Sequence, residues 1–169
     1  MKNFLLLIFC FPFLNVSAQT DSVSGRLFVA DTAVVVSVGD TILLPVKMDN
    51  VQVVMGLQCI LQLPEGLKAV NKPDGNPDVS ATSRGISQNV ITRYRQDGSI
   101  SLLCFSMSSR PFGGQGGDAL LIPLVVAEDG MEKALDIRLK EVIVSVVKDQ
   151  HNVSERWSDQ VSHIQIKKR

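Results

Sequence analysis

Hydrophobic and polar positions alternate with a period of two along most of this chain, which is the period of a β-strand with one buried face. In the segment 56–63, every odd position is leucine or cysteine, and two of the three even positions between them are glutamine. The exception is Ile60, an apolar side chain on the predicted outward face. The same period predicts nine strands over residues 26–36, 41–48, 56–63, 67–71, 89–94, 99–107, 119–127, 135–146 and 161–166.

The predicted strand 99–107 is apolar on both of its faces. Its even positions from 100 to 104 hold isoleucine, leucine and cysteine, and its odd positions from 103 onward hold Leu103, Phe105 and Met107. Such a strand is either covered on both sides or exposes one apolar face to a partner. We predict that Leu103, Phe105 and Met107 form an outward face that binds a partner.

Turn-forming residues separate the predicted strands, as at Asp97-Gly98 and in the segment 113–117 with its four glycines. Pro45 lies inside a predicted strand, and because proline donates no backbone hydrogen bond it must lie at a sheet edge or at a bulge. One short helical turn is predicted within 79–85. This arrangement predicts an all-β fold: a two-sheet antiparallel sandwich of about nine strands with jelly-roll topology.

The order of these turns and strands resembles that of the bacterial cohesin-like modules, which share a jelly-roll fold with one superfamily of carbohydrate-binding modules. The usual opening of that family is a Gly-Asp turn, a Leu-Pro-Val strand, an Asp-Asn corner, a Gly-Phe-Gln strand start and a Leu-Pro-Glu-Gly-Leu strand end. The matching elements here are Gly39-Asp40, Leu44-Pro45-Val46, Asp49-Asn50, Gly56-Leu57-Gln58 and Leu63-Pro64-Glu65-Gly66-Leu67.

The resemblance continues through the middle of the chain with Arg84, Asp97-Gly98, the strand 101–106, Phe112-Gly113-Gly114 and the strand start at 119–121. It covers most of the sequence, and its weight lies in the order of the elements. It implies a protein partner of the dockerin type, docked on one flat sheet face. The shared superfamily makes a polysaccharide ligand the alternative.

The first eighteen residues have the features of a secretory signal peptide. Lys2 supplies a positive start, residues 4–14 form an apolar run, and Val16-Ser17-Ala18 offers small residues for cleavage. We therefore predict a signal peptide over 1–18 and a single domain over 19–169. The apolar run is too short for a membrane span, which needs about 20 residues. The expected location is the periplasm, the cell surface or the extracellular space.

Charge and histidine content exclude several functional classes. The chain carries 17 basic and 17 acidic residues, so no global field would attract nucleic acid. His151 and His163 are the only histidines, and neither belongs to a metal-spaced or triad-like motif. The segment 74–78 imitates the start of a calcium loop, but Val79 and Gly85 occupy the positions of the required glycine and bidentate acid. We predict no enzymatic activity, no cofactor and no metal site.

Cys59 and Cys104 are the thiols that remain after signal removal, and three interpretations stay open. Both lie on predicted inward faces, where cysteine behaves as a small buried hydrophobe. An exported chain meets oxidising conditions, so a disulfide is the second interpretation. A reactive thiol is the third, although no nearby histidine or helix N-terminus in the sequence would lower its pKa.

Sugar-binding and glycosylated residues are the last candidates. The chain has one tyrosine, Tyr94, and one tryptophan, Trp157, as rings that could stack on a sugar and also offer a polar group. Ser22, Thr32 and Thr41 each follow an aspartate and precede an aliphatic or alanine residue. This pattern is similar to the O-glycosylation sequon of exported proteins in some gut-dwelling Gram-negative bacteria, which makes the three hydroxyls candidate glycosylation sites.

The sequence thus predicts a secreted, non-enzymatic binding module. Its expected partner is a dockerin-like or other envelope protein, and the alternative ligand is a polysaccharide.

Overall fold

The structure is a computed structural model that describes residues 25–127 and 134–168. Within them the chain forms twelve strands and one 3-10 turn, Ser83–Gly85. The predicted signal peptide and Ser22 lie outside the described residues. The strands are β1 Gly25–Val29, β2 Thr32–Val36, β3 Thr41–Asn50, β4 Val54–Gln62, β5 Leu67–Ala69, β6 Ser80–Ala81, β7 Asn89–Tyr94, β8 Ile100–Phe105, β9 Asp118–Val126, β10 Ala134–Lys148, β11 His151–Arg156 and β12 Gln160–Lys168.

The twelve strands form two sheets that pack face to face. The small sheet has the order β1-β3-β9-β5, with β6 also paired to β9. The large sheet has the order β2-β12-β10-β4-β8-β7, with β11 also paired to β10. Neighbouring strands are antiparallel except β2 and β12, which are parallel. The predicted all-β, two-sheet sandwich with jelly-roll topology is confirmed.

The core lies between the two sheets and is filled by the predicted inward positions. On β4, Leu57, Cys59 and Leu61 are buried, while Gln58 and Gln62 are exposed. Facing them, the small sheet buries alternate residues of β3 and β9. Each fully buried aliphatic side chain contributes about 1.5–3 kcal/mol relative to exposure. Burial of these side chains between the sheets is therefore the main force that holds the sandwich together.

Three features of the strand pattern were not anticipated by the periodicity. The short strand β6 lies within 79–85, where only a helical turn is predicted, and the 3-10 turn occupies the end of that segment. The predicted strand 26–36 is divided into β1 in the small sheet and β2 in the large sheet, because the chain crosses between the layers at Ala30-Asp31. Alternation continues across this crossing, so the period alone does not show it. Strand β11 was missed because four of its first five side chains are exposed, which leaves no apolar face to detect.

Pro45 lies at a sheet edge and next to a bulge, as its lack of a backbone donor requires. Strand β1 pairs with β3 only from Asn50 to Val46, so Pro45 occupies the part of β3 that β1 does not reach. The adjacent step, from Val46 to Lys47, is also a register shift against β9. The position therefore combines an edge with a bulge.

The predicted helical turn carries Arg84, which ties the glycine-rich loop to the end of β3. Its Nε donates to the carbonyl oxygen of Gly113 at 2.5 Å, and its terminal nitrogens donate to those of Gly114 and Gly117 at 3.2 Å. The same guanidinium donates to the carbonyl oxygen of Met48 and to Asn50 Oδ1. One side chain therefore satisfies the polar backbone of a loop that has little apolar surface of its own.

A bulge in β10 divides this long strand between two neighbours. Glu141 has a positive φ of 49°, and its backbone N–H donates to Asp159 Oδ1 at 2.9 Å. Before the bulge β10 pairs with β12, and after it β10 pairs with β11. The bulge also shifts the register against β4, which aligns Ile143 with Gln58. Strand β10 therefore pairs with β4 both before and after the bulge.

The hairpin between β10 and β11 has a two-residue loop, Asp149-Gln150, in which both residues have positive φ, 48° and 68°. This is the geometry of a type I′ turn, which favours Asn-Gly. A residue with a side chain is strained in this left-handed conformation by roughly 1–2 kcal/mol.

We predict that Gln150→Gly stabilises the protein by about 0.5 kcal/mol, because relief of this strain exceeds the added entropy of the unfolded chain. Gln165→Gly is the matched control, since Gln165 is exposed in the extended strand β12. This control should destabilise by about 0.5–1 kcal/mol. Urea unfolding of both variants measures whether each substitution raises or lowers the free energy of unfolding. Equal destabilisation by both substitutions would contradict the turn assignment.

Candidate functional site

The outward side chains of β10, β4, β8 and β7 form a continuous surface on the large sheet, hereafter the outer face. Strand register places them in three rows that cross the four strands. From β10 to β7 the rows are Lys140, Ile60, Ser101 and Arg93; Ile143, Gln58, Leu103 and Ile91; and Ser145, Gly56, Phe105 and Asn89.

The centre of the outer face is a shallow depression of about 460 Å³. Leu103, Phe105 and Ile143 line it with apolar side chains, and Gly56 forms part of its floor. A Cβ atom at Gly56 would come within 2.8 Å of the carbonyl oxygen of Cys104, so the close approach of β4 and β8 requires glycine there. The absence of a side chain in this row keeps the depression open.

The predicted apolar face is only partly formed by the predicted residues. Leu103 is 39% exposed and Phe105 is half-buried, and both point outward from β8. Met107 is 83% exposed but lies in a turn beyond the end of the strand. The structure therefore brings Leu103 and Phe105 together on the face and leaves Met107 outside the three rows.

Three isoleucines complete the surface and were not assigned to it from the sequence. Ile91 is the cross-strand neighbour of Leu103, Ile143 lies two strands away in the same row, and Ile60 lies in the adjacent row. The signal for Ile60 was its apolar side chain at an outward position. For Ile143 the bulge at Glu141 changes which positions of β10 point outward, so counting alternate residues could not find it.

Within the three rows the charged groups are basic, although β10 also carries the exposed Glu141 at the bulge beside Lys140. Lys140 and Arg93 lie at opposite ends of one row, and Arg156 on β11 extends the row of Ile143. Among the described residues none of these three cations has an ion-pair partner, and the three rows contain no carboxylate. The next outward cation on β10, Arg138, pairs with Asp136 at 2.9 Å.

Trp157 is part of the core rather than of a binding surface. Its side chain is 1% exposed, its backbone N–H donates to the carbonyl oxygen of Val142 at 2.9 Å, and its indole Nε1 donates to Glu155 Oε2 at 3.3 Å. The ring packs against Gly25, where a Cβ atom would come within 2.7 Å of it. No ring face is open for a sugar, which removes Trp157 from the predicted sugar-binding pair.

Tyr94 is exposed at the end of β7, and its hydroxyl donates to Asn71 Oδ1 at 2.7 Å. Because β7 is separated from β10 by β8 and β4, Tyr94 and Trp157 do not form a joint platform. A single exposed tyrosine whose hydroxyl is already bonded is a small surface for stacking on a polysaccharide.

Titratable groups do not assemble into a metal site within the described part of the chain, where no group of three or more metal-binding side chains is present. In the calcium-like segment, Asp74 accepts a hydrogen bond from the backbone N–H of Asn76 at 3.0 Å. Hydrogen bonds from Asn76 lower the pKa of Asp74. The Asp74 carboxylate therefore stabilises the turn of this loop. No helix in the ranges 25–127 and 134–168 is long and apolar enough to cross a membrane.

The two thiols lie on adjacent strands with inward side chains and form no disulfide. Cys59 is opposite Leu102, and Cys104 is opposite Leu57, so the sulfurs occupy diagonal positions. Diagonal residues are about 7–8 Å apart, too far for easy bridging. Burial raises the pKa of Cys59 to about 12. The pKa of Cys104 is also raised, mainly by burial and to a smaller extent by the nearby Cys59. Of the three interpretations, free buried thiols is the one observed.

Two of the candidate glycosylation residues are accessible. Thr32 begins β2 and Thr41 begins β3, and both are exposed. The preceding aspartates have structural roles, since Asp31 accepts from the backbone N–H of His163 at 2.7 Å and Asp40 from that of Ser37 at 2.8 Å. Glycosylation of Thr32 and Thr41 stays a prediction.

Comparison with known proteins identifies the fold. No protein-family model matches the sequence. No curated protein is significantly similar to it. Among solved structures, the seventh ScaB type I cohesin from Pseudobacteroides cellulosolvens aligns with a TM-score of 0.66 at 18% identity, over 85% of this chain and 92% of that one.

Two other cohesins align over similar lengths. The non-cellulosomal cohesin of the archaeon Archaeoglobus fulgidus has a TM-score of 0.60 at 16% identity, over 83% of this chain and 91% of that one. The OlpA cohesin from a type I cohesin–dockerin complex of Clostridium thermocellum has a TM-score of 0.61 at 14% identity, over 85% and 99%. The chain therefore has the fold of a cohesin-like domain, as the order of its motifs predicted.

We predict that both thiols of the native protein resist alkylation at pH 8 and react once the protein is unfolded, because burial disfavours the thiolate. Cys104→Ala should lower the free energy of unfolding by about 1 kcal/mol, the cost of a small buried group. Mass spectrometry after alkylation of native and denatured protein measures the first effect. Labelling of the native protein, or a two-dalton mass deficit restored by reductant, would contradict the assignment.

Proposed function

We propose that this protein is a non-catalytic binding module that docks a protein partner on the outer face. The observation that carries the proposal is an outward apolar cluster, in which Leu103 and Ile91 are exposed and Phe105 and Ile143 are half-buried, on a sheet whose other face already fills the core. The apolar surface that these side chains leave exposed is not covered within the single chain. It is explained by a partner that covers it.

The fold supports a partner of the dockerin type. One similar structure is the cohesin of a cohesin–dockerin complex from Clostridium thermocellum. By this analogy the partner of the present chain is a dockerin-like module or another protein of the cell envelope. The signal peptide predicted over 1–18 would export the protein to the periplasm, the cell surface or the extracellular space, where such a partner is available.

Polysaccharide binding has less support. Burial of Trp157 leaves Tyr94 as the exposed residue of the proposed stacking pair. The outer face carries aliphatic side chains and a half-buried phenylalanine, which do not offer the planar, polar-edged rings that suit sugars.

We predict that Leu103→Asp abolishes partner capture from an envelope extract of the source organism without unfolding the protein, because a charge in the centre of an apolar interface is left unpaired. Leu43→Asp is the matched control, since Leu43 is an exposed leucine on β3 of the other sheet. Quantitative mass spectrometry of material captured by the wild type and both variants provides the measurement.

Retention of the same partner by Leu103→Asp would place the interface elsewhere. Phe105→Asp tests the edge of the depression, and thermal unfolding of each variant separates loss of binding from loss of structure. If Leu103→Asp melts far below Leu43→Asp, Leu103 belongs to the core and the proposed face is wrong.

A further inference from the structure

We propose that the partner surface docked on the outer face is acidic at its rim: an apolar centre flanked by carboxylates that meet Lys140 and Arg93. This inference rests on the proposed docking function and adds the chemistry of the partner.

The placement of the two cations supports this charge pattern. Lys140 and Arg93 occupy the same row on β10 and β7, with Ile60 and Ser101 between them. Because neighbouring strands are about 4.8 Å apart, their Cα atoms are separated by roughly 14 Å. They therefore lie at the two ends of the row that borders the apolar centre, at a distance that a single protein interface spans. Arg156 adds a third cation beside Ile143.

The basic rim is not a consequence of overall composition. The whole chain carries equal numbers of basic and acidic residues. Away from the three rows, several cations of the described residues are paired: Arg26 with Asp49, Lys47 with Asp118, and Lys148 with Glu155. Other cations of the described residues, such as Lys68 and Lys72, also lack an ion-pair partner, so what distinguishes the outer face is that its three rows hold cations and no acid.

The energetic consequence follows from the position of these charges beside an apolar patch. A partner that covers Leu103 and Ile91 also removes water from Lys140 and Arg93, which costs free energy unless a new polar contact replaces it. Carboxylates at the partner rim supply that contact and accelerate association, whereas basic groups there would repel. The outer face therefore selects an acidic rim.

The test uses a defined probe: a display library of a three-helix scaffold in which eight exposed positions vary among Leu, Phe, Ser, Glu and Lys. Selection on the full-length wild-type protein should enrich Glu over Lys severalfold at positions around a Leu or Phe centre. Lys140→Glu/Arg93→Glu should weaken the selected binders about tenfold at low salt and less at high salt. Selection on this double variant should favour Lys instead.

Lys68→Glu/Lys72→Glu is the matched control, because it changes the net charge by the same amount away from the outer face. Lys68 lies in β5 of the small sheet, and Lys72 follows that strand. It should leave the binders unaffected. If the binders lose affinity for Leu103→Asp but show no preference for Glu, the docking face is supported and the proposal of an acidic partner rim is wrong. Selected binders that are all indifferent to Leu103→Asp would overturn the docking face itself.

Polygalacturonate, an anionic glycan without apolar groups, provides the remaining comparison. If it binds the wild type as tightly as the selected scaffolds do, and is lost in the Lys140→Glu/Arg93→Glu variant but not in Leu103→Asp, the cations serve an anionic polysaccharide. The proposal of an acidic protein partner would then be wrong. Absence of such binding, together with Glu enrichment, supports it.

Discussion

Burial of one face of each sheet against the other is the constraint on which the rest of this structure depends. Leu57, Cys59 and Leu61 on β4 face the buried residues of β3 and β9, and this contact excludes water from the centre of the molecule. Since a strand has two faces, the inward set of the large sheet leaves an outward set free. On most strands the outward set is polar or mixed. Around Leu103 the outward set is apolar, and the proposed docking surface lies there.

Local irregularities determine which outward residues meet. The left-handed conformation of Glu141, held by Asp159, changes the register of β10 so that Ile143 aligns with Gln58 and Leu103. Gly56 lets β4 and β8 approach closely and leaves the depression without a side chain at that point. The bulge at Glu141 and the glycine at position 56 therefore shape the outer face.

Residues with similar sequence signals have different roles. The side chains of Trp157 and Tyr94 could both stack on a sugar ring. In the structure, however, Trp157 is enclosed against Gly25, whereas Tyr94 is exposed beside Asn71. The difference arises because the segment after β11 returns to β10, where the backbone of Trp157 bonds to Val142. The chain offers few aromatic side chains for a glycan, and the burial of Trp157 leaves still fewer.

The sequence by itself determined the class of fold and the inward or outward direction of most side chains, because alternation with period two is a local property of each strand. It was sufficient for the inward direction of Cys59 and Cys104, for Pro45 at an edge or a bulge, and for the outward direction of Leu103 and Phe105, but it wrongly placed Met107 on the same face. Tertiary structure alone decided the passage from β1 to β2, the burial of Trp157 and the meeting of Ile91 with Leu103 and of Lys140 with Ile60. Pairings of this kind depend on strand register and bulges, which join residues distant in the chain and leave no periodic signal within any one segment.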